Sequence, residues 1–444
     1  MKKRILSIVL VIAMVVVVGA SVFYVNYNAF ALKQASEMRE KRVEEYAEVL
    51  AKSVNTQKGD NILITASAQQ YDFANEVAKK CYETGADGVR INYTDKTMDD
   101  LQAKYLKDDK SDSYYYEYAI SSYTEAAAPK SKMIVIVSQD FDEKQATKEE
   151  SENYQAKLNE KARTFLTEHD LVPKNIAPPG DLPWVLAVYP TKNWAKKVYP
   201  ELDGEAAYNK MLDDFLDFAR TGQSEDFFAH SQKLTQLANK ANELGIAELH
   251  YKSKTTDLRI PLHPKNKFAG GRVIDKNGVY YSPNVPTEEI FTMPTKYGAN
   301  GTAAVTRPFI LGGQLIEGLK MTFKDGKLVD YNATSGMDML KERFESSPEG
   351  VYLGEAALVP KTSPIFKSNR VYYDTVTDEN SGAHIALGRA LVDYNLKEGA
   401  ETDQDMNEAD YHIDVTIGSE DLTVTATLTD GSQVDVIKNG LWNF

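Results

Sequence analysis

Short apolar runs separated by helical patterns dominate the first half of the chain. Residues 62–65, 133–137 and 185–189 are runs of this kind, and each predicts a buried strand. Residues 74–83 carry apolar positions at helical spacing and predict a helix. Strands that alternate with helices are typical of an α/β domain built on a largely parallel sheet. We assign this domain to residues 46–222.

The pattern changes in the second half, where turn dipeptides separate runs with β character. Asn-Gly or Asp-Gly pairs stand at 277–278, 325–326 and 430–431, and such pairs are strong signals for β-hairpins. Residues 422–428 alternate apolar side chains with threonine, which gives a strand with one apolar face. We therefore predict a mixed, antiparallel β-rich α+β domain with a few helices at residues 223–444.

The N-terminus has the pattern of a membrane anchor. Residues 2–4 are Lys-Lys-Arg, and residues 5–30 carry no charge. About 20 apolar residues are enough to cross a bilayer, and positive charge ahead of them favours a cytoplasmic N-terminus. We predict one transmembrane signal anchor at residues 1–31, or a signal peptide cleaved after Ala31, followed by a linker or helix at residues 32–45. Either alternative exports the rest of the protein.

Composition excludes several classes of function. The 444-residue chain has a formal net charge of −14, which disfavours nucleic acid as a partner because phosphates would be repelled. Cys81 is the only cysteine, so an intrachain disulfide and a Cys-rich metal site are both impossible. Its apolar helical surroundings predict a small core residue. No glycine-rich nucleotide motif follows the predicted strands, and the acidic stretch at 140–171 predicts a solvated helix.

Candidate chemistry concentrates between residues 377 and 414, where two of the six histidines stand among acidic residues. Alternation predicts a strand that projects His412 and Asp414 from one face. His384 would stand near the start of a helix. The apolar side of that helix would carry Ile385, Leu387, Leu391 and Val392. Imidazoles with carboxylates are a ligand set for zinc, cobalt or manganese. The alternative is a helix cap and a hydrogen-bonded strand histidine.

Two further motifs precede these histidines. Residues 284–292 have the sequence N-V-P-T-E-E-I-F-T, and residues 353–360 have L-G-E-A-A-L-V-P. Together with His384 and the His412-x-Asp414 pair, they resemble the ordered motifs of the M29 metallo-aminopeptidases, the group of aminopeptidases T and S. The similarity extends from about residue 46 to the C-terminus. It implies an N-terminal α/β domain followed by a C-terminal catalytic domain.

The resemblance also implies a site for two divalent ions, which would be cobalt, zinc or manganese. The implied ligands are Glu289, Glu355, His384, His412 and Asp414. Such an ion pair lowers the pKa of water and polarises the scissile carbonyl of a peptide. Glu288 is the implied catalytic acid/base or the contact for the substrate amine. Neighbours in an extended segment face opposite ways, so one of Glu288 and Glu289 enters the site, and the sequence leaves open which one.

Two positions depart from the family pattern. Leu391 stands seven residues after His384, where the family has a tyrosine that assists catalysis. The loss of one such donor can cost roughly 100- to 1000-fold in rate, and Tyr394 would lie about 60° away around the predicted helix. Ala409 stands where the family often has serine, three residues before His412. That change would remove a hydrogen bond that orients the ligand.

The expected function is that of an exported, membrane-anchored aminopeptidase, a homodimer that removes N-terminal residues from peptides. The first alternative is a catalytically weakened or inactive family member that acts as a metal-stabilised peptide-binding module. A second alternative is an extracytoplasmic structural or assembly protein. The remaining histidines match no family ligand and are predicted to be surface or structural; they are His169, His230, His250 and His263.

Overall fold

The computed structural model describes residues 33–105, 130–139, 182–275 and 277–444. The predicted anchor at residues 1–31 and the predicted acidic helix at 140–171, which includes His169, lie outside the described residues. Within the described ranges, no helix is both long enough and apolar enough to cross a membrane.

The first part of the chain alternates helices and strands as predicted. The helices are α1 (residues 33–53), α2 (Tyr71–Thr84), α3 (Lys96–Tyr105), α4 (Lys192–Val198) and α5 (Gly204–Phe218). The strands are β1 (Asn61–Ser67), β2 (Gly88–Thr94), β3 (Ser131–Val137) and β4 (Trp184–Val188). Together with a strand from later in the chain, β9 (Asn284–Val285), they form a parallel five-stranded sheet with the order β2-β1-β3-β4-β9. The prediction of a parallel α/β sheet is confirmed.

Helix α2 packs its apolar face against this sheet. Phe73, Val77 and Cys81 recur every four residues, so they share one helical face, and all three are buried in the core against β1 and β3. Gly85 ends the helix in the left-handed conformation with φ +119°, which glycine adopts without steric cost. Burial raises the pKa of the Cys81 thiol to about 12, which fits the predicted role of a core residue.

The second part of the chain is rich in antiparallel strands. Its first elements are α6 (Phe227–Leu244), β5 (Ile246–Lys252), β6 (Asp257–Pro261), β7 (Val273–Ile274), β8 (Tyr280–Tyr281), β9 (Asn284–Val285), β10 (Ile290–Thr292), β11 (Asn300–Ala304), β12 (Phe309–Leu311), β13 (Gln314–Ile316), β14 (Lys320–Lys324), β15 (Lys327–Asn332) and α7 (Met337–Ser346). The rest are β16 (Leu353–Leu358), α8 (Pro364–Ser368), α9 (Thr375–Asp378), β17 (His384–Gly388), α10 (Val392–Asn395), β18 (His412–Thr416), β19 (Thr423–Leu428), β20 (Gln433–Lys438) and β21 (Leu441–Trp442). The antiparallel β-rich prediction is confirmed.

Eight of these strands form an antiparallel sheet with the order β15-β14-β11-β6-β5-β19-β20-β21. The three predicted turn dipeptides connect β7 to β8, β14 to β15 and β19 to β20. At the second of them, Asp325 (φ +49°) and Gly326 (φ +84°) are both left-handed, the conformation that a tight hairpin turn requires. Leu234, Ala238 and Ala241 of α6 are buried in the same core as this sheet.

A smaller antiparallel sheet with the order β10-β16-β17-β18 carries the candidate ligands. The predicted helix at His384 is wrong, because residues 384–388 form strand β17. All five residues of this strand are buried, so the alternation of exposed and buried positions that marks a half-exposed strand is missing. Gly388, with φ +99°, ends the strand, and a Cβ there would lie 2.1 Å from the carbonyl oxygen of Tyr411.

Candidate metal centre

The pairing of the small sheet places four candidate ligands on one face. Ala386 of β17 lies between Glu355 of β16 and Asp414 of β18 in the strand register. His384 stands two residues before Ala386, and His412 stands two residues before Asp414, so all five side chains project to the same side. Because Ala386 has only a methyl group, the carboxylates on either side of it can approach each other above the sheet.

The opposite face of the same sheet is apolar. Residues that alternate with the ligands are buried in the main core, and they are Ile385, Leu387, Ile413 and Val415. The sheet therefore buries its apolar face against the eight-stranded sheet and directs its charged face the other way. This two-sided pattern accounts for the positions of His384 and His412.

A β-bulge directs Glu355 to the charged face. Leu353 pairs with Leu387, but Glu355 pairs with Ala386, and the register shifts between them. In a regular strand, residues 353 and 355 would share a face, which would turn Glu355 into the apolar core. The extra residue, Gly354, reverses the alternation, as bulges near functional sites commonly do.

The ligand atoms converge closely. Nε2 of His384 lies 3.1 Å from a carboxylate oxygen of Glu289 and 3.1 Å from one of Glu355. Nε2 of His412 lies 3.4 Å from Glu355 and 3.2 Å from Asp414. The residues form two groups, Glu289 with Glu355 and His384, and Glu355 with His412 and Asp414, and the ligand atoms in each group lie within 4.8 Å of one another. Glu355 belongs to both groups.

Backbone carbonyls orient both imidazoles for metal binding. Nδ1 of His412 lies 2.6 Å from the carbonyl oxygen of Arg389, and Nδ1 of His384 lies 3.3 Å from that of Gly382. With Nδ1–H donating to these carbonyls, each Nε2 directs its lone pair at the carboxylates once it has lost its proton. Ala409 was expected to remove an orienting hydrogen bond, but the carbonyl of Arg389 already orients His412.

The electrostatics of the cluster fit divalent cations. Burial lowers the pKa of His384 and His412, but the surrounding carboxylates outweigh it and hold both pKa values well above the usual range. Burial also raises the pKa of Glu355, yet hydrogen bonds from the two histidines bring it down to about 2. Oε2 of Glu289 is buried without a well-aligned hydrogen bond, although Nε2 of His384 lies 3.1 Å away. A cation would satisfy this oxygen and relieve the repulsion between converging lone pairs.

The structure places the neighbouring Glu288 outside this cluster. Its carboxylate accepts a hydrogen bond from Arg220 at 2.7 Å and lies 3.4 Å from Nε2 of His230. Its backbone N–H donates to Asn380 at 2.7 Å. Glu288 and Glu289 therefore point in opposite directions, as the sequence predicted for an extended pair, and Glu289 faces the other ligands. The predicted acid/base role of Glu288 stays a prediction that this geometry does not favour.

Two cavities flank the cluster. The larger, of about 590 Å³, is lined by Glu289, Glu355, His412 and Asp414, and its apolar wall includes Phe291 and Leu391. The smaller, of about 300 Å³, is also lined by His412 and Asp414. Leu391 precedes helix α10 rather than lying in a helix with His384, so it reaches the site through the turn that follows β17.

Sequence reasoning assigned no role to Glu379 or Arg389. Glu379 lines both cavities, and burial together with the nearby charges of Glu289 and Asp414 holds its pKa well above the usual range. Arg389 lines the larger cavity beside Leu391. The acidic run before His384 was the available signal for Glu379. Arg389 carries no comparable signal, since a lone arginine in a turn is usually solvated.

The other described histidines lie outside the cluster. His250 pairs with Asp257 at 2.6 Å, and His263 pairs with Asp403 at 3.0 Å. His230 contacts Glu288 and the carbonyl oxygen of Thr287. These contacts are those of structural and surface histidines.

A buried set of histidines and carboxylates beside a cavity defines a metal-dependent hydrolase site. The chain belongs to the thermophilic metalloprotease family (M29), whose sequence profile matches residues 39–442. It is therefore an M29 metallo-aminopeptidase, and the family assignment made from its motifs is confirmed.

The alignments with individual relatives cover nearly the whole chain. Aminopeptidase AmpS of Bacillus subtilis (strain 168) is 31% identical over 400 residues, which cover 88% of this chain and 95% of that protein. Aminopeptidase T of Thermus aquaticus is 31% identical over 408 residues, with the same coverage of 88% and 95%. The solved structure of wild-type AmpT from Thermus thermophilus is similar, with a TM-score of 0.78 and 27% identity, and the match covers 91% of this chain and 100% of that one.

Proposed function

We propose that this protein is an exported aminopeptidase that removes N-terminal residues from short peptides with the help of two divalent ions. The observation that carries the proposal is the pair of three-residue groups that share Glu355, because a carboxylate common to both groups can bridge two ions. Divalent ions bound there would lower the pKa of water and polarise a peptide carbonyl. The names of the relatives, all aminopeptidases, support peptides as substrates.

The cavity supports a specific division of roles among the residues of this chain. The apolar wall beside the cluster, which includes Phe291 and Leu391, offers a surface for the first side chain of a peptide. Glu379 borders the same cavity, whereas Glu288 is paired with Arg220. We therefore assign the contact with the substrate amine, or the acid/base role, to Glu379 in preference to Glu288.

The proposed location follows from the apolar N-terminal run. An anchor at residues 1–31 would leave a single-pass membrane protein with its catalytic region outside the cytoplasm, or a secreted one if the chain is cleaved after Ala31. Fractionation of cells that express the full-length chain tests this location, with a version that starts at residue 32 as the matched control. Recovery of both versions in the soluble cytoplasmic fraction would contradict the proposal.

The proposed assembly is a homodimer, as the resemblance implies. Light scattering of residues 32–444 at micromolar concentration should report twice the mass of one chain. A monomer at that concentration contradicts this part of the proposal and leaves the metal site unaffected.

The second candidate function, a metal-stabilised peptide-binding module, is favoured by one observation. Leu391 lines the cavity where the family has a tyrosine, and an aliphatic side chain cannot donate a hydrogen bond to a developing oxyanion. Peptide binding without release of an amino acid, measured at full metal loading, would favour this candidate over the enzyme.

Metal analysis tests the site itself. Elemental analysis of residues 32–444, reconstituted with cobalt, zinc or manganese, should find close to two ions per chain, one for each group of ligands. His412→Ala should lose one ion, and Glu355→Ala should lose both, because Glu355 belongs to both groups. His250→Ala, whose ring pairs with Asp257 outside the cluster, is the matched control. Full metal content in both ligand variants would refute the assignment.

A further inference from the structure

Arg389 stands out by its charge in an acidic cavity. The residues that line the larger cavity include the carboxylates of Glu289, Glu355, Glu379 and Asp414, and Arg389 is the only lysine or arginine among the described residues there. Away from the bound divalent ions, a lining with this balance disfavours a substrate carboxylate. A cation at its edge therefore determines which anions can approach the cluster.

The backbone of Arg389 is held beside a ligand while its side chain remains accessible. Its N–H donates to the carbonyl of Tyr411 at 2.7 Å, and its carbonyl accepts a hydrogen bond from His412 at 2.6 Å. The residue is exposed, and Asp393 of the same cavity is close enough for the charge of Arg389 to act on its carboxyl, but among the described residues no ion pair within 4.0 Å holds the guanidinium. The guanidinium is thus anchored next to the metal site and is available to a ligand.

We propose that Arg389 binds the C-terminal carboxylate of a dipeptide, which makes dipeptides with a free C-terminus the preferred substrate class. This inference rests on the proposed aminopeptidase function. A dipeptide places its carboxylate only one residue, about 3.5 Å along the chain, beyond the scissile bond. That carboxylate must therefore stay within the cavity, where Arg389 is the only lysine or arginine among the described lining residues. A guanidinium also matches a carboxylate with two parallel hydrogen bonds.

Longer peptides and amidated dipeptides do not need this contact. In a tripeptide the carboxylate lies one residue farther out, and in an amide the charge is missing. This contact therefore distinguishes peptide substrates by the position of their C-terminal charge and not by the type of their side chains. Leu-Leu and Leu-Leu amide are suitable probes, because the apolar wall accepts the first leucine of both.

The test compares wild type with Arg389→Gln and Arg389→Lys at equal measured metal content. For Leu-Leu, Arg389→Gln should lower kcat/KM roughly 10- to 100-fold, the effect of losing a hydrogen bond to a charged group, and most of the loss should be in KM. For Leu-Leu amide the change should stay below about 2-fold, since no charged partner is lost. Arg389→Lys should restore part of the activity on Leu-Leu. Lys397→Gln, which removes a cation outside the cavity, should change neither substrate.

Two kinetic results would overturn the inference. One is an equal loss on Leu-Leu and on its amide, which would indicate a structural or transition-state role. The other is a wild type that does not prefer the free acid to the amide. If the metal-loaded wild type releases no leucine from either peptide, the proposed function fails, but calorimetry still decides this inference. In that case Arg389→Gln must weaken the binding of Leu-Leu and leave the binding of Leu-Leu amide unchanged. If Arg389→Gln binds Leu-Leu as tightly as wild type does, the inference is overturned.

Discussion

A single methyl group at Gly354, the residue before the ligand Glu355, should disrupt the metal centre. Gly354 forms the bulge that turns Glu355 toward the other ligands. A Cβ at this position would lie 2.3 Å from the carbonyl oxygens of both Gly388 and Arg389. The φ angle of Gly354 is not left-handed, so the effect of Gly354→Ala is steric. Either the bulge flattens or the end of β17 moves.

The expected magnitude follows from these contacts. Ordinary carbon–oxygen contact needs more than 3 Å, so the backbone must shift by about 1 Å, and overpacking of this kind costs about 1–3 kcal/mol. The Arg389 carbonyl also orients His412 through the 2.6 Å hydrogen bond, and its distortion adds about 1 kcal/mol. We expect a total loss of about 2–4 kcal/mol in unfolding free energy and roughly 10- to 100-fold in metal affinity.

Thermal unfolding with and without a chelator, together with metal titration, measures both effects. Gly204→Ala is the matched control, because nothing lies within 4 Å of a Cβ at that first residue of α5. It should leave metal affinity unchanged. If Gly354→Ala binds metal and unfolds as wild type does, the argument that the bulge positions Glu355 is refuted.

Two other predictions concern turnover and pH. Leu391→Tyr should raise kcat by up to about 100-fold, because a hydroxyl in the cavity can donate to the transition state. Leu391→Phe, which adds the ring without the hydroxyl, should not, and equal rates in the two variants would contradict the reasoning. The raised pKa values of His384 and His412 mean that metal must displace protons, so metal affinity should increase with pH until pH exceeds those values. Calorimetry in buffers of different ionisation enthalpy should detect proton release, and pH-independent metal binding would contradict this.

The local sequence was enough for several features of the site. Alternation over 411–416 placed His412 and Asp414 on one face of a strand, and the structure agrees. Opposite orientation of Glu288 and Glu289 also followed from an extended backbone. The motifs then identified the family. All of these inferences depend on neighbouring residues or on short segments, whose geometry is set by backbone stereochemistry.

Other features depended on partners that are distant in sequence. His384 was predicted near a helix start, because the apolar residues of 385–392 fit helical spacing as well as alternation. Strands β16 and β18 pair with the two edges of this segment, and all five of its residues are buried. Tertiary pairing therefore overrode the local pattern. The direction of Glu288 was likewise decided by Arg220, which lies 68 residues away in the chain.

The sequence by itself therefore identified the candidate ligands and the strand that carries His412 and Asp414. Tertiary structure alone decided that the Gly354 bulge turns Glu355 toward His384 and His412, and that Glu379 and Arg389 border the cavity. The physical reason is that side-chain direction in a regular strand follows from its own alternation. Bulges, cavities and charge pairing follow instead from strand register and packing between segments that the chain brings together only when it folds.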